Sequence, residues 1–134
     1  MALLSLEEAA TFHGHLGPFL TIGYLAGKMA TEFLKPENIH DMRAIVNVPL
    51  KTPFSCVIDG VQCSSRCTLG KLNIEVNNSE NITITFETKG GRRIELQVKE
   101  DVVERCLKLE MEEAVKWLLN LKQEEIFKIR SQLS

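Results

Sequence analysis

Apolar residues recur along the chain at two periods, and the change from one to the other divides it. Phe19, Leu20, Ile22, Leu25, Ala26, Met29 and Phe33 follow helical spacing and predict a long helix over roughly residues 18–34. Pro18 suits its first turn, where a missing N–H costs nothing. Upstream, Ser5 and Glu8 predict a capping box and a short helix to about Thr11. His-Gly-His and Gly-Pro interrupt the chain between the two helices. Gly23, Ala26, Gly27 and Ala30 would let another element approach the long helix closely.

Lys35-Pro36-Glu37-Asn38 ends that helix, and the β-branched run from Met42 to Leu50 predicts a strand. A short helix between Cys56 and Cys67 places Asp59 and Gln62 as neighbours at i and i+3. Alternation then takes over at Leu72, Ile74, Val76, at Ile82, Ile84, Phe86, and at Ile94, Leu96, Val98. With turns at Asn77-Asn78-Ser79 and Lys89-Gly90-Gly91, this predicts an antiparallel meander. Its other face, carrying Thr83, Thr85, Glu87, Glu95 and Gln97, is polar and solvated. From Asp101 onwards a long helix is expected, packed through Val103, Leu107, Met111, Ala114, Leu118 and Leu121. The stripe loses phase at Gln123-Glu124-Glu125, so Ile126, Phe127, Ile129 and Leu133 would turn towards a second protomer. The fold class expected is α+β, an antiparallel-rich sheet packed against long N-terminal and C-terminal helices, in one domain over residues 1–134.

Charge narrows the function. Sixteen basic residues stand against eighteen acidic ones, and no basic stripe speaks for nucleic acid. The N-terminus carries Glu7 and Glu8 where a signal peptide would be apolar, and no run reaches the length of a membrane span. A cytoplasmic location is expected, in which thiols stay reduced and clustered cysteines favour metal or redox chemistry over disulfides.

The densest reactive stretch runs from Ser55 to Asn73, with Cys56, Asp59, Gln62, Cys63, Cys67 and Lys71. Its partner is the segment holding His13 and His15. Thiolate and imidazole donors together suit a divalent transition metal such as zinc, which asks for about four ligands. Cys56, Cys67, His13 and His15 are the candidate ligands, with His15 the stronger of the two histidines. His13 also fits a proton carrier or a residue behind a ligand. Asp59 fits a ligand, a carboxylate orienting a histidine, or a solvated acid, and Gln62 and Lys71 fit contacts to a bound cofactor or anion. Gly70-Lys71 is no phosphate loop, because the earlier glycine is missing and Leu72 replaces the hydroxyl residue. Cys106 reads as packing and His40 as exposed.

The blocks F-H-G-H-L-G-P-F-L-T-I-G-Y and C-V-I-D-G-V-Q-C-S-S-R-C-T-L-G-K-L-N resemble the formylmethanofuran dehydrogenase E-subunit (FmdE) family, through to about Val98. Members tend to show F-H-G-H-L-C-P and C-x-x-D-A-x-Q-x-x-T-G-C-T-x-G-K-x-N. This chain has Gly17 for the cysteine, Gly60 for the alanine, Ser65-Arg66 for Thr-Gly, and Cys63 where the family is usually apolar. The resemblance implies an α+β domain, commonly dimeric, with a metal site matched by His15, Cys56 and Cys67 and joined by His13. It further implies an accessory role beside the other components of molybdenum or tungsten formylmethanofuran dehydrogenase, or in related one-carbon metabolism. No C-terminal zinc ribbon is expected. Two other readings compete: an enzyme whose metal keeps an open position, and a metal-free module holding a small cofactor between the two motifs.

Overall fold

The computed structural model describes residues 3–133. Helix α1 (Leu6–His13) starts at the expected capping box: the Glu8 N–H donates to the Ser5 hydroxyl, and the Ser5 N–H to the Glu8 carboxylate. It runs past Thr11 and ends at Gly14, whose φ of 116° is one that side-chain-bearing residues rarely take. Helix α2 (Pro18–Leu34) follows with Pro18 in its first turn, as its spacing predicts. Then come β1 (Met42–Val48), α3 (Cys56–Ser65), a 3-10 turn at Leu69–Lys71, β2 (Ile74–Asn78), β3 (Thr83–Thr88) and β4 (Arg93–Val98). The chain closes with α4 (Glu100–Lys108), α5 (Met111–Leu119), α6 (Gln123–Ile126) and β5 (Phe127–Gln132).

The class is α+β, but the sheet is mixed rather than antiparallel-rich. Its order is β2-β1-β3-β4-β5. The predicted meander keeps only its β3–β4 hairpin, because β2 leaves it and lies parallel to β1, with Ala44 opposite Ile74 and Val46 opposite Val76. The reason lies in α3. A helix between two strands brings the chain back in its original direction, so β1–α3–β2 is a crossover and its strands run parallel. The Ser79 N–H donating to the Val48 carbonyl, and the Leu50 N–H to Asn78 Oδ1, tie the two strand exits together.

The long C-terminal helix is likewise absent. Leu109 and Glu110 are both extended, with ψ of 153° and 149°, and they separate α4 from α5. Burial explains the break: α4 buries Val102 and Cys106, whereas α5 buries Ala114, Val115 and Leu118. At about 100° per residue on one straight helix, these two sets would face roughly opposite sides. Leu107 and Met111, expected in the packing stripe, are instead 52% and 49% exposed. Residues 127–132 form no helix either, since β5 pairs antiparallel with β4 from Val98–Phe127 to Arg93–Gln132. Among the described residues only α2, at 17 residues, is long.

One layer of helices covers the sheet. Ala44, Val46, Ile84, Phe86, Ile94, Leu96 and Phe127 meet Ile22, Ala26 and Leu34 of α2 in a continuous core. Each large aliphatic side chain so enclosed contributes about 1.5–3 kcal/mol. Helix α3 lies against α2 at backbone distance. A Cβ on Gly23 would come within 2.0 Å of the Val57 carbonyl oxygen, and one on Gly60 within 2.1 Å of that of Leu20. This close approach is what carries Asp59 to the end of α1. Among the described residues no helix is long and apolar enough to cross a membrane.

Candidate functional site

His13 sits on the last turn of α1, and its Nδ1–H donates to Asp59 Oδ2 at 2.6 Å. A carboxylate only accepts, so a ring proton belongs on Nδ1, and in the neutral ring Nε2 keeps its lone pair. His13 is largely enclosed, its side chain 12% exposed. His15 follows across the Gly14 turn, exposed, with its ring centroid 4.9 Å from that of His13 and the planes at 59°. Gly17, the N-cap of α2, lies beneath it. A Cβ placed there would meet His15 Cε1 at 3.1 Å, His15 Nδ1 at 3.3 Å and Met111 Sδ at 3.7 Å.

From α3, Asp59 and Gln62 are the neighbours their i, i+3 spacing predicts, with Gln62 Nε2 3.5 Å from Asp59 Oδ1. Gln62 Oε1 also accepts from the Leu69 N–H at 3.0 Å, fastening the 3-10 turn to the helix. Lys71, half-buried in that turn, donates to Thr68 Oγ1 at 2.8 Å. Cys56 is half-buried at the start of α3; burial first, and then the Asp59 charge, raise its thiol pKa above the usual range, against a backbone hydrogen bond that lowers it. Cys63 packs with Ala9 and Tyr24, and burial followed by the Asp59 charge lifts it to about 11. Cys67 is fully buried in the core, where its thiol donates to the Met42 carbonyl at 3.4 Å. Burial raises its pKa too, with a Ser65 hydrogen bond and the Lys71 charge pulling the other way.

A family model described as FmdE, molybdenum formylmethanofuran dehydrogenase operon, matches residues 12–128. The chain belongs to the FmdE family. The matched span opens at Phe12, so it takes in His13, His15 and all of α3, and the site lies wholly inside the FmdE segment. The crystal structure of a tungsten formylmethanofuran dehydrogenase FmdE-like protein from Syntrophus aciditrophicus superposes with a TM-score of 0.61. That similarity covers all of this chain and 78% of the other at 21% identity, which shows a shared fold. No protein of curated function matches.

Set against a metal's needs, the FmdE site divides in two. The structure brings His13, His15, Asp59 and Gln62 together, and an imidazole whose Nδ1–H is held by a carboxylate is the arrangement metal-bound histidines use. Cys67 remains in the core, and among the described residues no three of the His, Cys, Asp and Glu side chains stand grouped to hold an ion. Two imidazoles are thus brought together, and the fourfold set expected from the sequence is not assembled. Met111, which sequence reasoning placed in a packing stripe, lies instead beside the site, its Sδ 3.7 Å from where a Cβ on Gly17 would sit. The signal was present in Glu112 and Glu113, acids suited to a helix's first turn, which mark a new start at Met111.

A groove of about 980 Å³ runs between Leu50, Phe54, Ile82 and Leu107, and none of the candidate site residues lines it.

Proposed function

We propose that this FmdE-family chain binds a transition-metal ion, zinc, where α1 meets α3, as an accessory to molybdenum or tungsten formylmethanofuran dehydrogenase or a related one-carbon system. In this reading His13 through Nε2 and His15 are donors, Cys56 closes on them as a third only when the ion binds, Asp59 orients His13, and Gln62 and Lys71 form the polar edge. The observation that carries it is the 2.6 Å bond from His13 Nδ1 to Asp59, which fixes the ring with its other nitrogen free. When bound, the ion would supply Lewis acidity at this junction.

Exposed Phe12, Leu16 and Leu69 flank the site residues in sequence, which supports burial of this face in a homodimer. Four free cysteines suit a reducing cytoplasm.

Metal analysis of protein prepared without an affinity tag tests the reading. Close to one ion per chain is expected, lost in His13→Ala, His15→Ala and Cys56→Ser. Cys67→Ser should keep its ion while losing stability, since that thiol sits in the core. Wild-type protein that stays metal-free after reconstitution under reducing conditions overturns the assignment. The accessory role is checked separately, by whether components of formylmethanofuran dehydrogenase copurify with the chain.

A further inference from the structure

The groove beside Leu50 and Leu107 shares no residue with the candidate metal site, and we infer that it docks a partner protein through a cationic amphipathic helix. One wall is the outer face of α4. Glu100, Val103, Glu104 and Leu107 stand at i, i+3, i+4 and i+7, which at about 100° per residue gathers them within about 100° of arc. Val102 and Cys106, which fix α4 to the core, lie outside that arc. A second wall is the β1–α3 connection, with Leu50, Lys51 and Phe54, and buried Ile82 and Val98 make the floor. Hydrogen bonds hold this frame together: the Val98 N–H donates to the Ile82 carbonyl at 2.9 Å, and the Leu50 N–H to Asn78 Oδ1 at 3.0 Å. A groove fixed in advance loses little freedom when it is filled.

Shape selects a helix. At about 980 Å³ the groove matches the largest ligand cavities in volume, yet its flanking leucines, Leu50 and Leu107, remain 50% and 52% exposed. An open trough covers one side of its occupant, which is what a helix laying down an apolar face requires. The i+3 and i+4 rows of α4 supply ridges between which the side chains of such a helix seat. Charge selects the sign. Three carboxylates, Glu80, Glu100 and Glu104, line the groove against one ammonium, Lys51, an excess of two that equals the excess of eighteen acids over sixteen bases in the whole chain. The remaining charges balance in sum, so the net acid is concentrated here. Among the described residues none of the three carboxylates has an ion-pair or hydrogen-bond partner, whereas Lys51 Nζ already lies 5.9 Å from the centroid of the Phe54 ring. A second copy does not fit, because none of the helices α1 to α6 carries a net positive charge.

The probe is a labelled synthetic peptide of about 18 residues, five turns, with leucine and lysine at helical spacing, titrated with the full chain and followed by fluorescence polarisation. A peptide of the same composition in scrambled order is the control. Saturable binding is expected for the amphipathic order alone, weakening as salt is raised. Leu107→Ala, at an exposed position that leaves the fold intact, should weaken binding about tenfold. Glu100→Gln with Glu104→Gln should weaken it about fivefold, while Glu112→Gln with Glu113→Gln, which removes the same charge from outside the groove, should stay within about twofold. Urea midpoints show that each variant is folded. No saturable binding by the wild type, equal binding of the scrambled peptide, or an equal loss in the Glu112 and Glu113 pair overturns the docking site. So does a wild-type dimer, seen in sedimentation, that Leu107→Ala dissociates, since a second copy of the chain would then fill the groove.

Discussion

Asp59 is the residue on which the site turns, because its side chain makes the hydrogen bond that joins the histidine segment to α3. It accepts from His13 on α1, lies beside Gln62 on its own helix, and its charge is felt by Cys56 and Cys63. Asp59→Asn keeps the size and an oxygen acceptor and removes the charge that makes His13 a stronger donor. Metal affinity is expected to fall about 10–100-fold with the far-ultraviolet spectrum unchanged, as for other carboxylates behind a metal-bound histidine. Titration of the stripped protein with zinc, beside its circular dichroism spectrum, checks this. Gly17 offers the opposite experiment. Its φ of −132° and ψ of 168° suit any residue, and the atoms nearest a new Cβ belong to the exposed His15 ring, which needs to yield only a few tenths of an ångström. Gly17→Cys, restoring the residue usual in the resembling motif, should therefore fold with a change of less than about 1 kcal/mol and bind zinc more tightly than wild type. Arg66 is a departure of another kind: it ends α3 at φ 63°, the left-handed region that the usual glycine enters without strain.

At the level of elements, the α2–α3 contact holds the site in place, and it depends on glycines. A methyl group on Gly60 would meet the Leu20 carbonyl oxygen at 2.1 Å and the Tyr24 nitrogen at 2.5 Å, both rigid backbone. Gly60→Ala should destabilise the chain by about 1–3 kcal/mol through overpacking, read as an earlier midpoint in urea. Gly70→Ala, with nothing within 4 Å of its new Cβ, serves as the near-neutral control. The small residues of α2 announce this contact in the sequence, as the Ser5–Glu8 box and Pro18 announce the helix starts. What stays hidden is of a different nature. Alternation in Ile74 and Val76 reveals a strand but not the direction of its partner, so the sequence pattern alone does not tell the crossover through α3 from a meander. Leu107 and Met111 continue a helical stripe on paper, while the buried set, Val102 and Cys106 and then Ala114 and Leu118, requires a break. Phe127, Ile129 and Leu133 alternate as a strand does, a signal masked by the helical pattern before them. Within the site, Asp59 beside Gln62 is legible from spacing. The burial of Cys67 is not, since cysteine serves equally as ligand and as core filler.

Across the whole molecule the thiols give the fold a pH limit on the alkaline side. Burial lifts Cys63, under α1, and Cys106, on α4, from the usual 9.0 to about 11, and Cys56 and Cys67 are displaced in the same direction. In the unfolded chain Cys63 and Cys106 ionise near 9, while in the folded chain they keep their protons until about 11. Between those values the unfolded state binds fewer protons than the native state, so stability must fall as pH rises and level off above the folded pKa. Below pH 9 both states hold the protons and the thiols contribute no slope. Tyr24, raised above 10.0 mainly by burial, adds to the decline at the upper end. Urea unfolding at steps from pH 7.5 to 11 should show a flat region and then a loss, shallower in a Cys63→Ala, Cys106→Ala double variant than in wild type. The two proteins differ only at these two side chains, so the difference between the two curves isolates the buried thiols. If the curves ran parallel, the two cysteines would have to ionise equally in both states, which their exposures of 5% and 4% argue against.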